Sequence, residues 1–149
     1  MGDNGGNSIE KAFGAEQHAI QRAWERCTKA IQSCDRATII ASFSEFDSRL
    51  RRLIRREEKG LFPAIMHETT RLENDPTIAM RAEHCRIEEA LDRLRARVDA
   101  GDCAALYGQH LEPSGLFRNH LDIEKKLLYP LADLIIPAEK CAEILSGSD

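Results

Sequence analysis

Apolar residues recur at three- and four-residue intervals along most of the chain, which is the spacing of one face of an α-helix. In the first stretch the apolar positions are Ile9, Phe13, Ile20, Trp24, Cys27 and Ile31. A second stretch follows Asp35, a residue type that caps helix N-termini, and its apolar positions are Phe43, Phe46, Leu50 and Leu53. The two-residue alternation of β-strands is almost missing, so the pattern predicts an all-α protein.

Two further helices are predicted in the second half. The third opens at Asp75-Pro76, a capping residue followed by a first-turn proline, and ends at Gly101. Its apolar positions are Met80, Ile87, Leu91, Leu94 and Val98. The fourth follows Asp102, and its apolar positions are Phe117, Leu127 and Leu131. Pro113 is expected to kink or restart this helix, because proline lacks a backbone N–H and clashes with the preceding turn.

These segments predict a single four-helix bundle over residues 8–149. The topology expected is up-down-up-down, because short connections make successive helices antiparallel. A short additional helix is predicted from about Pro137 onward. Residues 1–7, which read MGDNGGN, have no apolar periodicity and are predicted to form a disordered tail.

Composition and charge narrow the class of protein. The 149 residues are 42% hydrophobic and 31% charged, a balance typical of a globular domain. The net charge of −4 argues against nucleic-acid binding, which needs a basic surface. No apolar run approaches the roughly 20 residues that span a bilayer, and no secretory signal pattern occurs. We therefore expect a cytoplasmic protein that binds neither membranes nor nucleic acids.

Five cysteines occur without a Cys-x-x-Cys pair: Cys27, Cys34, Cys85, Cys103 and Cys141. In a cytoplasmic chain this odd set predicts reduced thiols that mostly fill the core. The alternative left open is a redox or metal-binding role for Cys85.

The two halves of the chain repeat at an offset of 67 residues, the separation of Leu61 from Leu128. Leu61-Phe62-Pro63 matches Leu128-Tyr129-Pro130 at this offset. Further matched pairs are Glu57 with Glu124, Glu16 with Glu83, Ile20 with Ile87, and Trp24 with Leu91. Duplication of a helix pair is the simplest account of this pattern.

Four polar residues fall on faces that should be buried. His84 shares a face with the apolar residues of the third helix, and Glu57 continues the apolar face of the second. His120 and Glu124, four residues apart, are neighbours on the fourth. Imidazole and carboxylate groups cannot stay unpaired in a dry interior, and together they suit a first-row metal ion. The sequence predicts a metal site at these residues, with a metal-free cluster of hydrogen-bonded side chains as the alternative.

The chain resembles the hemerythrin-like (HHE cation-binding) domain family over almost all of its length after the tail. The resemblance rests on Glu57-Glu58-x-x-Leu61-Phe62-Pro63, on Glu83-His84 and on His120-x-x-x-Glu124-x-x-x-Leu128-Tyr129-Pro130. Members with the full pattern carry one histidine on helices one and three and His-x-x-x-Glu on helices two and four, and they bind two non-haem irons bridged by the two glutamates. The resemblance implies ligand roles for Glu57, His84, His120 and Glu124.

The first half departs from this pattern. Gln17 stands at the position that matches His84, and Leu53 at the position that matches His120. His18 is adjacent to Gln17 but about 100° around the helix. It is kept as a candidate ligand that would need a rotated helix or a shifted register, and the other interpretation is a surface residue. These departures favour one metal ion over two.

The predicted function is that of a non-haem metal-binding protein. Iron is the expected ion, with zinc as the alternative, and the predicted role is binding or sensing oxygen or nitric oxide, or handling iron. Binding is favoured over catalysis, although a one-iron oxidative enzyme stays open. The alternative from another class is a metal-free bundle that acts as a regulatory or protein-interaction module. The sequence does not indicate an oligomeric state.

Overall fold

This computed structural model of the protein describes residues 8–69 and 75–147. Short polar side chains cap the first helix of each of its four main helical segments. The helices are α1 (Ile9–Ser33), α2 (Arg36–Arg56), α3 (Phe62–Glu68), α4 (Pro76–Ala100), α5 (Cys103–Gln109), α6 (Leu111–Ile123), α7 (Tyr129–Ile135) and α8 (Ala138–Ser146). Ser8, Asp35, Asp75 and Asp102 cap α1, α2, α4 and α5, and each accepts a hydrogen bond from a first-turn backbone N–H. The described residues contain no strand, which confirms the all-α prediction.

Two wider helical turns connect these elements. The first, π1 (Glu57–Leu61), joins α2 to α3, and the second, π2 (Glu124–Leu128), joins α6 to α7. With these turns included, the boundaries of the first half recur in the second at the 67-residue offset: α1 matches α4, α2 matches the span from α5 to α6, and α3 matches α7. This correspondence supports the duplication inferred from the sequence.

The helices pack around one hydrophobic core. Helix α1 contacts α2, α5 and α7, while α4 contacts α2, α5 and α6. The up-down-up-down order of four helices stays a prediction. No helix in the described ranges combines the length and the apolar character needed to cross a membrane. The tail predicted at residues 1–7 lies outside the described residues.

Prolines explain where the wide turns lie. Pro63 and Pro130 follow π1 and π2 by two residues. In an α-helix each proline would clash with the carbonyl four residues before it and leave that carbonyl without a donor. The chain instead bonds Phe62 N–H to the carbonyl of Glu57, five residues back, and the second half repeats this arrangement after Glu124.

The wide turn corrects the predicted apolar face after Glu124, where Leu131 is also only half-buried and Ala132 is buried instead. Leu127 was expected in the core, but it is 68% exposed, whereas Leu128 is only 3% exposed. A turn with five residues per hydrogen bond rotates the following helix by about one residue relative to α-helical geometry. The sequence prediction assumed unbroken α-helical spacing beyond Glu124, so it selected the wrong leucine.

The fourth predicted helix is interrupted before Pro113. Helix α5 ends at Gln109 and α6 begins at Leu111, so Pro113 lies in the first turn of α6. Its missing N–H would have faced the carbonyl of Gln109, where α5 already ends. His110 fills the break, and its Nδ1 lies 3.0 Å from the carbonyl oxygen of Leu106. The predicted restart is therefore present.

Two cysteines contradict the prediction that all five are reduced thiols. Cys34, after α1, and Cys103, the first residue of α5, form a disulfide with their Cα atoms 5.8 Å apart. Sequence spacing gave no signal for this pair, because the residues are 69 positions apart and meet only when the two interhelical connections lie side by side. Cys27 and Cys141 are buried free thiols as predicted, and Cys85 is an exposed free thiol.

Candidate metal centre

Four predicted ligand residues converge in the interior. Glu57 is the first residue of π1, His84 lies on α4, His120 lies on α6, and Glu124 is the first residue of π2. Each is at most 1% exposed. One nitrogen or carboxylate oxygen from each residue can be chosen so that all four atoms lie within 4.8 Å of one another. The fold therefore gathers residues 57, 84, 120 and 124 at one buried point.

The contacts inside the cluster run between imidazole nitrogens and carboxylate oxygens. His84 Nε2 lies 3.3 Å from Glu57 Oε1 and 3.9 Å from Glu124 Oε2. His120 Nε2 lies 3.2 Å from Glu124 Oε1, across one turn of the helix. The two imidazole rings have their centroids 4.9 Å apart and meet edge to face. The Nε2 atoms of both histidines thus face Glu124, and that of His84 also faces Glu57.

Two further glutamates hold the opposite sides of the imidazole rings. His84 Nδ1 lies 3.2 Å from Glu58 Oε1, and His120 Nδ1 lies 3.2 Å from Glu83 Oε1. A carboxylate at Nδ1 accepts the ring proton there, which leaves the Nε2 lone pair free for a metal ion. Metal-binding histidines in proteins commonly have such an outer carboxylate.

Several polar atoms at the centre have no hydrogen-bond partner. They are Glu57 Oε1, His84 Nε2, His120 Nε2, Glu124 Oε2 and Gln17 Oε1. A buried polar atom without a partner costs roughly 1–3 kcal/mol. Four of these five atoms belong to the four converging side chains, and they comprise two nitrogens and two oxygens. This donor set fits a first-row ion such as iron or zinc, for which imidazole and carboxylate are both suitable ligands.

Burial and mutual proximity shift the pKa values of these groups. Loss of hydration, together with the neighbouring Glu124 carboxylate, raises the pKa of Glu57 well above its usual range. Burial alone would lower the pKa of His84, but its interactions with Glu124 and Glu57 outweigh this and raise it to about 10. Burial lowers the pKa of His120. Because Glu57 and Glu124 are buried side by side, a positive charge between them would stabilise their ionised forms, and a metal cation supplies such a charge.

Tyr129 and Gln17 complete the cluster beside the two carboxylates. The Tyr129 hydroxyl donates a hydrogen bond to Glu57 Oε2 at 2.9 Å. Gln17 Nε2 donates to the Tyr129 hydroxyl at 3.1 Å and lies 3.4 Å from Glu124 Oε1. Burial and the adjacent Glu57 raise the pKa of Tyr129 well above its usual range, so the hydroxyl keeps its proton and acts as a donor.

The structure does not bring His18 to the cluster. His18 is exposed on α1, and the buried residue at that level of the helix is Gln17. The rotation or register shift that His18 would need is absent from α1, which is a continuous helix from Ile9 to Ser33. Leu53, at the position matching His120, is buried and contributes no polar atom.

Helical spacing does not indicate the roles of Glu58, Glu83 and Tyr129. Glu83 offered a signal, because it precedes His84 and recurs as Glu16 in the repeat. Tyr129 lies within the repeated Leu-Phe/Tyr-Pro motif, where its hydroxyl is the difference from Phe62. Glu58 had no comparable signal, since Lys125 stands at the matching position.

Comparison with known proteins agrees with this geometry. A family model described as the hemerythrin HHE cation-binding domain matches residues 12–132, which include all four converging residues. Searches of curated proteins and of solved structures returned no match. Since the family model covers most of the chain, the protein belongs to the hemerythrin HHE cation-binding domain family.

Proposed function

We propose that this protein binds one non-haem iron ion through Glu57, His84, His120 and Glu124, and uses it to bind or sense a small diatomic molecule or to handle iron. The observation that carries the proposal is a set of four atoms without a hydrogen-bond partner, one from each of these residues. They are two imidazole nitrogens and two carboxylate oxygens, and each residue is at most 1% exposed. Zinc is the alternative ion, because it accepts the same donor types.

The side chains around the centre orient the ligand groups and supply the charge that a metal ion needs. Glu58 and Glu83 fix the two rings by accepting their Nδ1 protons. Glu57 and Glu124 supply negative charge, and the surrounding core excludes bulk water, which strengthens each electrostatic contact. A bound iron ion with few protein ligands would offer open coordination positions to oxygen or nitric oxide.

A binding or sensing role is proposed in preference to catalysis. Within residues 8–69 and 75–147, Glu58, Glu83 and Tyr129 are titratable neighbours of the four ligands, and each is engaged as a hydrogen-bond partner of a ligand residue. None of the three is thereby left to move a proton to a substrate. The cytoplasmic location stays a prediction.

Metal content tests the proposal directly. The protein is loaded with ferrous iron without oxygen, freed of excess metal, and analysed for iron per chain; a parallel sample is loaded with zinc. We expect one ion per chain in the wild type and a large loss in His84→Ala and His120→Ala. His18→Ala is the matched control, because that histidine is exposed on α1, and its metal content should equal that of the wild type.

The alternative function is distinguished by the same measurement. A wild-type chain that stays folded and takes up neither iron nor zinc would overturn the metal-binding proposal and favour a metal-free regulatory or interaction module. Equal metal content in the wild type and both buried-histidine variants would show that any bound metal lies elsewhere.

A further inference from the structure

The two halves of the chain differ at matched positions around the centre. Phe62 of the first half stacks its ring on His84 of the second half, with 5.3 Å between ring centroids and 13° between planes. At the matching positions Tyr129 stands in place of Phe62, and Gln17 in place of His84. The first pair meets through ring surfaces, whereas the second meets through a hydrogen bond of 3.1 Å. The aromatic pair, which includes the candidate ligand His84, is thus matched by a polar pair made of a hydroxyl and a carboxamide.

This polar pair occupies oxygens that would otherwise be available to a cation. Tyr129 holds Glu57 Oε2, and Gln17 lies within 3.4 Å of Glu124 Oε1. The other oxygen of each carboxylate, Glu57 Oε1 and Glu124 Oε2, has no hydrogen-bond partner. A carboxylate commonly bridges two metal ions by giving one oxygen to each ion. Here the protein itself takes up one oxygen on each side.

The residues that match the two outer carboxylates, Glu58 and Glu83, face no histidine ligand. His84 has Glu58 at its Nδ1, whereas the residue matching Glu58 is the exposed Lys125. His120 has Glu83 at its Nδ1, whereas the matching Glu16 forms an ion pair with Arg49 at 3.2 Å. Neither outer group is therefore arranged to orient a ligand in the first half.

We propose that Tyr129 and Gln17 act in place of a second cation, holding the second oxygens of Glu57 and Glu124 and thereby limiting the centre to one ion. The inference rests on the proposed function and names the residues that set its stoichiometry. Hydrogen-bond donors satisfy the buried carboxylate oxygens without adding net charge. Leu53 also favours a single ion, because it has no metal-ligating atom at the position where the second half has His120.

The test rebuilds the missing half-site with Tyr129 present or absent. Gln17→His with Leu53→His supplies two imidazoles, but the Tyr129 hydroxyl still holds Glu57, so we expect one iron per chain, as in the wild type. Adding Tyr129→Phe, which copies Phe62 of the other half, should raise the ratio to two. Adding Tyr107→Phe instead is the matched control, since Tyr107 is exposed, and should leave the ratio at one.

Electron paramagnetic resonance of the oxidised samples gives an independent readout. A single high-spin ferric ion has a signal, whereas two strongly coupled ferric ions do not, so the signal should be lost only in the variant that lacks the Tyr129 hydroxyl. Two ions in the wild type, two in the double-histidine variant with Tyr129 intact, or one in the triple variant would each overturn the proposal. A wild type without any metal would instead refute the proposed function.

Folding of each variant is checked by circular dichroism. If the triple variant does not fold, Gln17→His with Tyr129→Phe provides the second measurement, because it leaves the buried Leu53 in place. We expect it to take a second ion with weaker affinity than the first. A ratio of one at every iron concentration would contradict the role of Tyr129 and Gln17.

Discussion

Cys34 and Gly101 occupy the same position in the two halves of the chain, immediately after α1 and α4, and both have left-handed backbone conformations with φ of 53° and 70°. Glycine adopts this conformation without steric cost, whereas a residue with a Cβ atom loses roughly 1 kcal/mol or more. The side chain at position 34 offsets that cost by forming the disulfide with Cys103. The stability of this end of the bundle therefore depends on the state of one covalent bond.

Replacing Cys34 with glycine should have effects of opposite sign in oxidising and reducing conditions. Without reductant, Cys34→Gly loses a cross-link between residues 69 positions apart, for which chain entropy predicts a destabilisation of about 4 kcal/mol. With reductant, the same variant should be more stable than the wild type by about 1 kcal/mol, because glycine relieves the left-handed strain. Urea unfolding in both conditions measures the two free energies.

Cys103→Ser separates the cross-link from the strain. This variant also loses the disulfide but keeps Cys34 in its left-handed conformation. It should be less stable than the wild type without reductant and equally stable with reductant. A Cys34→Gly protein that is less stable than the wild type under reductant would contradict the strain argument.

Removing the outer carboxylate of His120 should weaken metal binding without removing a ligand. Glu83→Ala leaves His120 Nδ1 without its partner at 3.2 Å, so the ring loses its fixed orientation and part of its basicity. We expect an affinity roughly 10- to 100-fold lower. Competition with a chelator of known affinity, using zinc, measures this change.

Glu16→Ala is the control for that measurement. Glu16 matches Glu83 in the repeat, but it pairs with Arg49 at 3.2 Å, and Leu53 stands where the matching histidine would be. Its removal should leave metal affinity unchanged. Equal weakening by both substitutions would indicate a general effect of lost negative charge and would contradict a specific role for Glu83.

The wide turn π2 can be tested with two neighbouring leucines. Leu128 is 3% exposed, so Leu128→Ala should cost about 2–5 kcal/mol in the free energy of unfolding. Leu127 is 68% exposed, and Leu127→Ala should change stability by no more than about 0.5 kcal/mol. Urea unfolding of the metal-free protein measures both. The reverse order would indicate an uninterrupted α-helix after Glu124.

Local sequence signals were enough to predict the helices and the inward faces on which the four ligand candidates lie. Asp35, Asp75 and Asp102 cap helices where the sequence indicated, because capping depends on neighbouring backbone groups. The internal repeat related Glu57 to Glu124, and helical spacing placed both on inward faces. Helix caps and inward faces depend on residues within one or two helical turns of each other.

Features that depend on distant contacts were not predictable in the same way. The pairing of Cys34 with Cys103 depends on two loops meeting in space. The bond from Tyr129 to Glu57 joins residues 72 positions apart, and no periodicity indicates the direction of a hydroxyl. Leu127 was misplaced for a different reason, because a single change of helical pitch reverses which of two adjacent residues faces the core.

The position of π1 and π2 has a consequence for changes in chain length. Each wide turn begins at a candidate ligand carboxylate and ends two residues before a proline. The number of residues between that carboxylate and that proline therefore sets the angular phase of α3 and α7 against the remainder of the bundle. Substitutions inside the turn preserve this phase, whereas deletion of one residue would rotate everything downstream by about 100°. The length of each turn is thus constrained at every residue, whereas residue identity is constrained only where a side chain is buried or contacts a ligand.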